Sequence, residues 1–218
     1  MICLWDIGQP APPKYKDAAH RMLLKVEYEG KTEGKKDLYS MAWVAGAGSG
    51  WVLVGSMDGL TGWRISSRKV KEKKFPQTKP TQVEFRYGQS RQVLNFSSDQ
   101  IPVRLQGVPD FPNVDSVCSL GDQLVAVKCV DHAKIIVFRT NFNKLRPDQK
   151  MVKVENLMEF PWRKTKEFFM NIGGLSSLQL LACGDDKGLI WVYKMTPWLF
   201  SAEAEKPEVL PQKVAPLG

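Results

Sequence analysis

The sequence predicts an all-β fold, a partial β-propeller of about three four-stranded blades plus one extra strand. Three observations predict it. Apolar hairpins recur at VLVGSMDGLTGWRI (52–65) and LACGDDKGLIWVYKM (181–195), with a worn copy at LVAVKCVDHAKIIVFRT (124–140), and a fourth survives only as its last strand, MICLWDI (1–7). The large residues that mark each unit, Trp5, Trp63, Phe138 and Tyr193, are spaced by 58, 75 and 55 residues. Each spacing fits one repeat of about 40–45 residues plus an insertion. The runs are also short, rich in Val, Ile, Leu, Phe and Trp, and bounded by Gly, Asp, Asn and Pro, as buried strands are.

The elements follow in order. In the first unit, RMLLKVEY (21–28) reads as an outer strand, followed by LYSMAWV (38–44), WVLVGSM (51–57) and GLTGWRI (59–65). In the second, TQVEFRY (81–87) or QVLNF (92–96) supplies the outer strand. VDSVCSL (114–120), QLVAVKC (123–129) and KIIVFRT (134–140) come next. In the third, MVKVENLMEF (151–160) precedes KEFFMNI (166–172), LQLLACG (178–184) and LIWVYKM (189–195). The blades thus span about 20–65, 81–140 and 150–195 of a propeller part covering 1–200. Asp58-Gly59 and Asp186-Lys187-Gly188 read as tight turns between inner strands. Glycine takes the positive φ such turns need, and aspartate bonds to the turn's own backbone, so these carboxylates are scaffold. Trp43 and Trp51 fall in strand patterns and are expected in the core. Three blades are too few to close a ring of about 4–8. The chain is therefore expected to be a piece of a longer propeller, with SAEAEKPEVLPQKVAPLG (201–218) as a tail or linker.

Composition excludes several classes. No run reaches the ~18–20 apolar residues of a membrane-spanning helix, and the N-terminus does not read as a signal peptide. The cysteines Cys3, Cys118, Cys129 and Cys183 form no CxxC pair. They read as buried free thiols of a reducing compartment, the cytosol or nucleus, and not as a metal site. The net charge of +8 is spread out. Its densest cluster is RKVKEKK, with Arg68, Lys69, Lys71, Lys73 and Lys74, and a second holds Arg163, Lys164 and Lys166. Such patches attract phosphate backbones or acidic protein surfaces, and a solubilising loop has the same composition.

Several stretches taken together resemble a known family. These are MICLWDIGQP, the VGSMDGLTGW hairpin followed by QVEF, and WRKTKEFF ahead of LACGDDKGLIWVYKM. They are similar to the WD-repeat part of the origin recognition complex-associated family of leucine-rich repeat and WD repeat proteins. The likeness runs through most of the chain, with gaps at 66–80 and 97–113, and is most specific over the first ten residues and 160–195. It implies a WD40-type propeller, a nuclear, chromatin-associated location, and a role in holding the origin recognition complex on chromatin. It further implies contact with histone tails carrying repressive methyl-lysine marks. The family's leucine-rich repeats do not occur in this sequence.

No catalytic arrangement emerges. GAGSG (46–50) lacks the GKS or GKT ending of a phosphate loop and reads as a hairpin loop; there is no GxSxG elbow, HExxH or EF-hand. No enzyme activity, cofactor, metal or small-molecule substrate is expected. Binding has more to work with. Methyl-lysine recognition needs aromatic faces within about 6 Å of a cation. Trp162, between Pro161 and Arg163, is the first candidate, and Phe111 in PDFPN is the second. Packing between blades is the competing role for Trp162. The basic loop around Lys31, Lys35 and Lys36 and the one around Arg163, Lys164 and Lys166 occupy similar places in their units, while Arg68 to Lys74 follows a last strand. The charge is therefore split, which favours protein partners, with nucleic acid contacted non-specifically. The expected partners are origin recognition complex subunits and methylated histone tails. A WD-repeat scaffold of another assembly, such as the non-catalytic partner of an RNA-modifying enzyme, is the alternative.

Overall fold

A computed structural model describes residues 2–10, 20–26, 37–46, 49–69, 82–87, 90–96, 101–105, 113–121, 123–130, 132–140, 151–163, 167 and 170–195. These residues are almost entirely strand, and the fold is all-β and propeller-like. Four strands, β3 (Leu38–Gly46), β4 (Ser49–Ser56), β5 (Gly59–Lys69) and β8 (Ile101–Leu105), lie side by side in that order as a first antiparallel sheet. A second repeats the order with β9 (Val114–Ser119), β10 (Leu124–Cys129), β11 (Lys134–Arg139) and β12 (Val152–Pro161). A third holds β13 (Ile172–Leu175), β14 (Leu180–Gly184) and β15 (Ile190–Lys194). The N-terminal β1 (Ile2–Pro10) pairs with β2 (His20–Val26).

Each sheet runs outward from an inner strand, and the inner strands β3, β9 and β13 pack in succession. The middle sheet shows why the sheets stack. Its strands are apolar on both faces, so alternate residues enter two different cores. Val125, Val127, Cys129, Ile136 and Phe138 face the first sheet, whereas Leu124, Ala126, Ile135 and Val137 face the third. Burying one such side chain contributes about 1.5–3 kcal/mol. Two glycines let the backbones converge at the inner end. A Cβ on Gly55 would lie 2.5 Å from the carbonyl oxygen of Val114, and one on Gly174 would overlap Leu120.

The first two sheets also meet at their outer ends. Val152–Val154 of β12 pair in parallel with Val103–Leu105 of β8. At the inner ends, Ser40 Oγ accepts the N–H of Val117 at 3.0 Å. The eight strands thus form a nearly closed sheet around the first core, rather than two blades whose outer strands stand apart.

The strand grouping differs from the sequence expectation in one systematic way. Segments 21–28 and 151–160 were expected to open the units that follow them. Instead β2 pairs with β1, and β12 closes the second sheet on β11. After a third strand, the nearest open edge is that strand's own, so a short connection returns there. The second sheet's outer strand is neither 81–87 nor 92–96 but β12, and the first sheet's is β8. Those two segments form β6 (Gln82–Tyr87) and β7 (Ser90–Phe96), a hairpin laid along the far end of β5. In the third unit, only the end of 166–172 is strand among the described residues. GAGSG is the expected hairpin connection between β3 and β4.

The turns between second and third strands hold glycine at positive φ as predicted in two cases and another residue in one, and in the last turn the carboxylate that bonds the backbone is Asp185, not the expected Asp186. Gly59 (φ 106°) and Gly188 (φ 77°) take positive φ, but the second sheet uses Ala133 (φ 51°) at that place. In the first turn Ser56 Oγ accepts the N–H of Asp58 and donates to the carbonyl of Gly59.

Candidate functional site

Two charged residues sit inside strands that otherwise read as apolar: Lys128 in LVAVKC and Asp115 in VDSVCS. Their placement follows from a break in register. Lys128 lies opposite Ser116, while the next residue, Cys129, lies opposite Val114. Asp115 is the extra residue of this bulge, a feature that re-aims a side chain. Its Oδ2 lies 2.6 Å from Lys128 Nζ, and both side chains are 0% exposed. The same ammonium stands 4.2 Å from the centroid of the Trp162 ring. A buried cation is thus held by one carboxylate and one aromatic face, the two partners that offset its lost hydration.

The chain around Trp162 joins the second sheet to the third. Its backbone N–H donates to the carbonyl of Ala133 at 2.8 Å, and its Nε1–H donates to the carbonyl of Gly184 at 3.3 Å. Tyr193 Oη donates to the carbonyl of Pro161 at 2.5 Å, and the Phe160 and Tyr193 ring centroids are 4.9 Å apart. Burial, reinforced by the neighbouring Cys183, raises the Tyr193 phenol above its ordinary value. On the inner side, Ser116 Oγ accepts the N–H of Ile172 at 2.9 Å, tying β9 to β13. Burial pushes the Cys183 thiol up to about 11, with Lys128 opposing and Asp115 and Asp185 adding to the rise. Cys183 is therefore a neutral thiol at physiological pH and a poor nucleophile.

Asp185 organises the last turn. Its Oδ1 accepts the N–H of Lys187 at 2.8 Å and of Leu189 at 3.0 Å, and its Oδ2 accepts Trp191 Nε1–H at 2.9 Å. Burial works against its ionisation. The bonds from Trp191, Leu189 and Lys187, with the Arg163 charge, outweigh it and hold the carboxyl below its ordinary value. Stability from this carboxylate is therefore present above the free aspartate value of about 3.9 and is lost as pH falls through the lower folded value. Asp185→Ala is expected to cost roughly 2 kcal/mol at pH 7. Urea unfolding should show the gap between wild type and variant narrowing as pH drops below about 3.9; a gap that stays constant or widens on acidification contradicts the assignment.

The sequence-predicted binding residues fare differently. Trp162 is 4% exposed and lies in the core between the second and third sheets, not on a rim. Its neighbours Pro161 and Arg163 are exposed, which is why the local sequence reads as a surface loop. Arg163 Nε is 3.7 Å from Asp186 Oδ1, a surface pair worth no more than about 1 kcal/mol. Arg68 and Lys69 close β5, with their backbones paired to Val93 and Gln92. Phe111, Lys71, Lys73, Lys74, Lys164 and Lys166 lie outside the described residues, as do Lys31, Lys35 and Lys36. Trp51 is buried as expected, but Trp43 is 51% exposed on β3. His132 is exposed in its turn. Among the described residues no group of three His, Cys, Asp or Glu could hold a metal ion.

No protein-family model matches the chain, and no curated protein matches it. The charged cluster itself was missed by sequence reasoning. The signal was available: a lysine within a strand of Leu, Val, Ala and Cys has to be paired if that strand is covered on both faces.

Proposed function

We propose that this chain is a non-enzymatic WD-repeat scaffold that acts on chromatin, helping to recruit or hold the origin recognition complex. The observation that carries the scaffold reading is the Asp115–Lys128–Trp162 cluster. It uses a carboxylate, an ammonium and an indole to lock two sheets together with no charged atom turned to solvent. Sheets fixed in this way hold the turns at their ends in constant relative positions, as a recognition surface requires. The chromatin part of the proposal rests on the likeness of residues 1–10 and 160–195 to the origin recognition complex-associated family. Methylated histone tails and non-specific nucleic acid belong to the same proposal as partners, as does a nuclear location.

The internal contacts revise how methyl-lysine reading would work. A methylated ammonium needs open aromatic faces, and in Trp162 one face already carries the chain's own Lys128. Reading of a histone mark therefore falls to other aromatics, with Phe111 the remaining sequence candidate. The basic run Arg68 to Lys74 supplies the electrostatic attraction to chromatin in this proposal.

Affinity capture from nuclear extract tests it. Origin recognition complex subunits should be retained by the chain, and charge reversal across 68–74 should lower the salt concentration at which chromatin releases it. Capture of RNA-modifying enzymes in place of origin complex subunits would keep the scaffold and remove the chromatin assignment. An unchanged salt profile would reduce 68–74 to a solubilising loop.

A further inference from the structure

The third sheet has three strands among the described residues where the first two have four. The outer edge of β5 is taken by the β6–β7 hairpin and β8, that of β11 by β12, and one edge of β1 by β2, in each case by chain that follows in sequence. Among the described residues nothing pairs with the outer edge of β15. The backbone groups on that edge follow from the hairpin. Met195 N–H donates to the carbonyl of Gln179, and Asp185 N–H donates to that of Leu189. Residues 189, 191, 193 and 195 therefore bond toward β14, and Ile190, Val192 and Lys194 turn their N–H and C=O groups outward. Ile190 is 61% exposed.

The second sheet shows what meets such an edge. Thr140 N–H donates to the carbonyl of Gln123, so by the same alternation Ile135, Val137 and Arg139 turn outward, toward β12. Arg139 lies opposite Glu155, 16 residues further on. In the N-terminal pair Asp6 stands opposite Arg21, 15 residues further on. Lys194 holds the place of Arg139, one position after the large marker residue, and Glu208 follows it by 14 residues in EKPEVLPQ (205–212). Residues 196–218 lie outside the described residues. We infer that this segment supplies the fourth strand of the third sheet, running antiparallel to β15 with Glu208 opposite Lys194, Leu210 opposite Val192 and Gln212 opposite Ile190. The prolines fix the register. Proline has no N–H to give and is confined to the solvent side of an edge strand. Pro161 of β12 obeys this, lying opposite Lys134, whose own backbone faces β10. With Glu208 opposite Lys194, Pro207 and Pro211 both fall on the solvent side. Placing Glu203 or Glu205 there instead sets Pro207 opposite Ile190 or Val192, where an N–H is needed. The opposite charges of Lys194 and Glu208 favour the same pairing. The inference does not depend on the chromatin reading.

Amide hydrogen exchange followed by NMR tests it on the full chain. The amides of Ile190, Val192 and Lys194 are expected to be protected in the wild type. Leu210→Pro removes the N–H that faces Val192 and is expected to speed exchange at these three amides by at least about tenfold. The amides of Trp191 and Tyr193, which face β14, should keep their wild-type rates and so report that the sheet is still folded. Glu208→Lys is expected to speed exchange at Lys194 by about twofold to fivefold, and adding Lys194→Glu to restore it by returning opposite charges to the pair. Outward amides that exchange freely in the wild type overturn the pairing, as does protection that survives Leu210→Pro. Charge variants without recovery in the double variant overturn the register. Protection that grows with protein concentration assigns the strand to another copy and overturns pairing within one chain.

Discussion

Replacing Lys128 by methionine is expected to cost about 3–5 kcal/mol of folding stability. The loss comes less from the missing attraction than from what remains. Asp115 stays in its bulge with a side chain that is 0% exposed, and its ammonium 2.6 Å away is gone. A buried carboxylate without its counter-charge has to be desolvated without compensation or protonated. The penalty is large against the roughly 5–15 kcal/mol that holds a typical domain together. The double variant Asp115→Ala with Lys128→Met is expected to recover most of it, because removing both charges removes the desolvation problem with them. Urea denaturation of the four proteins in this cycle measures the coupling directly. Single-variant losses below about 1 kcal/mol, or additive losses in the double variant, would show that the pair is not isolated from water as described.

Trp162→Ala is expected to cost a further large amount, about 3–5 kcal/mol, with reduced recovery of soluble protein. Three contributions are lost together. The indole fills the core between second and third sheets, its Nε1–H reaches the carbonyl of Gly184, and its face lies over Lys128. Trp162→Phe separates them. It retains an aromatic face and most of the volume but loses the bond to Gly184, and a cost nearer 1 kcal/mol is expected for the hydrogen bond alone. The effects of Trp162→Ala and Lys128→Met should be non-additive, since both remove the same contact. A Trp162→Ala protein that unfolds at the wild-type midpoint and fails only in binding would return Trp162 to the rim and contradict its burial.

Much of the architecture was legible in local sequence because strands and tight turns are local events. Short apolar runs marked the inner strands, and Asp58-Gly59 and Asp186-Lys187-Gly188 marked two of the turns. The third turn, at Ala133, was invisible as a positive-φ position because its residue type does not advertise it. Strand partnership was harder. Residues 101–105, IPVRL, are a short run with a proline, a weak strand signal, yet they form the outer strand of the first sheet. Trp162 was misplaced for a related reason: its flanking Pro161 and Arg163 are exposed, and only the approach of β14 and β15 covers the indole.

The sequence by itself determined that the chain forms repeated apolar hairpins, where their glycine turns fall, and that its cysteines form no CxxC pair. Each of these depends on residues within a few positions of one another. The tertiary structure decided which strand closes which sheet, that β8 and β12 bridge two sheets into a nearly closed whole, and that Asp115, Lys128 and Trp162 meet. Those outcomes depend on packing between segments far apart in the chain, where a one-residue bulge at Asp115 sends a carboxylate to a lysine thirteen positions away. Register and burial are collective properties of stacked sheets, and no single stretch of sequence carries them.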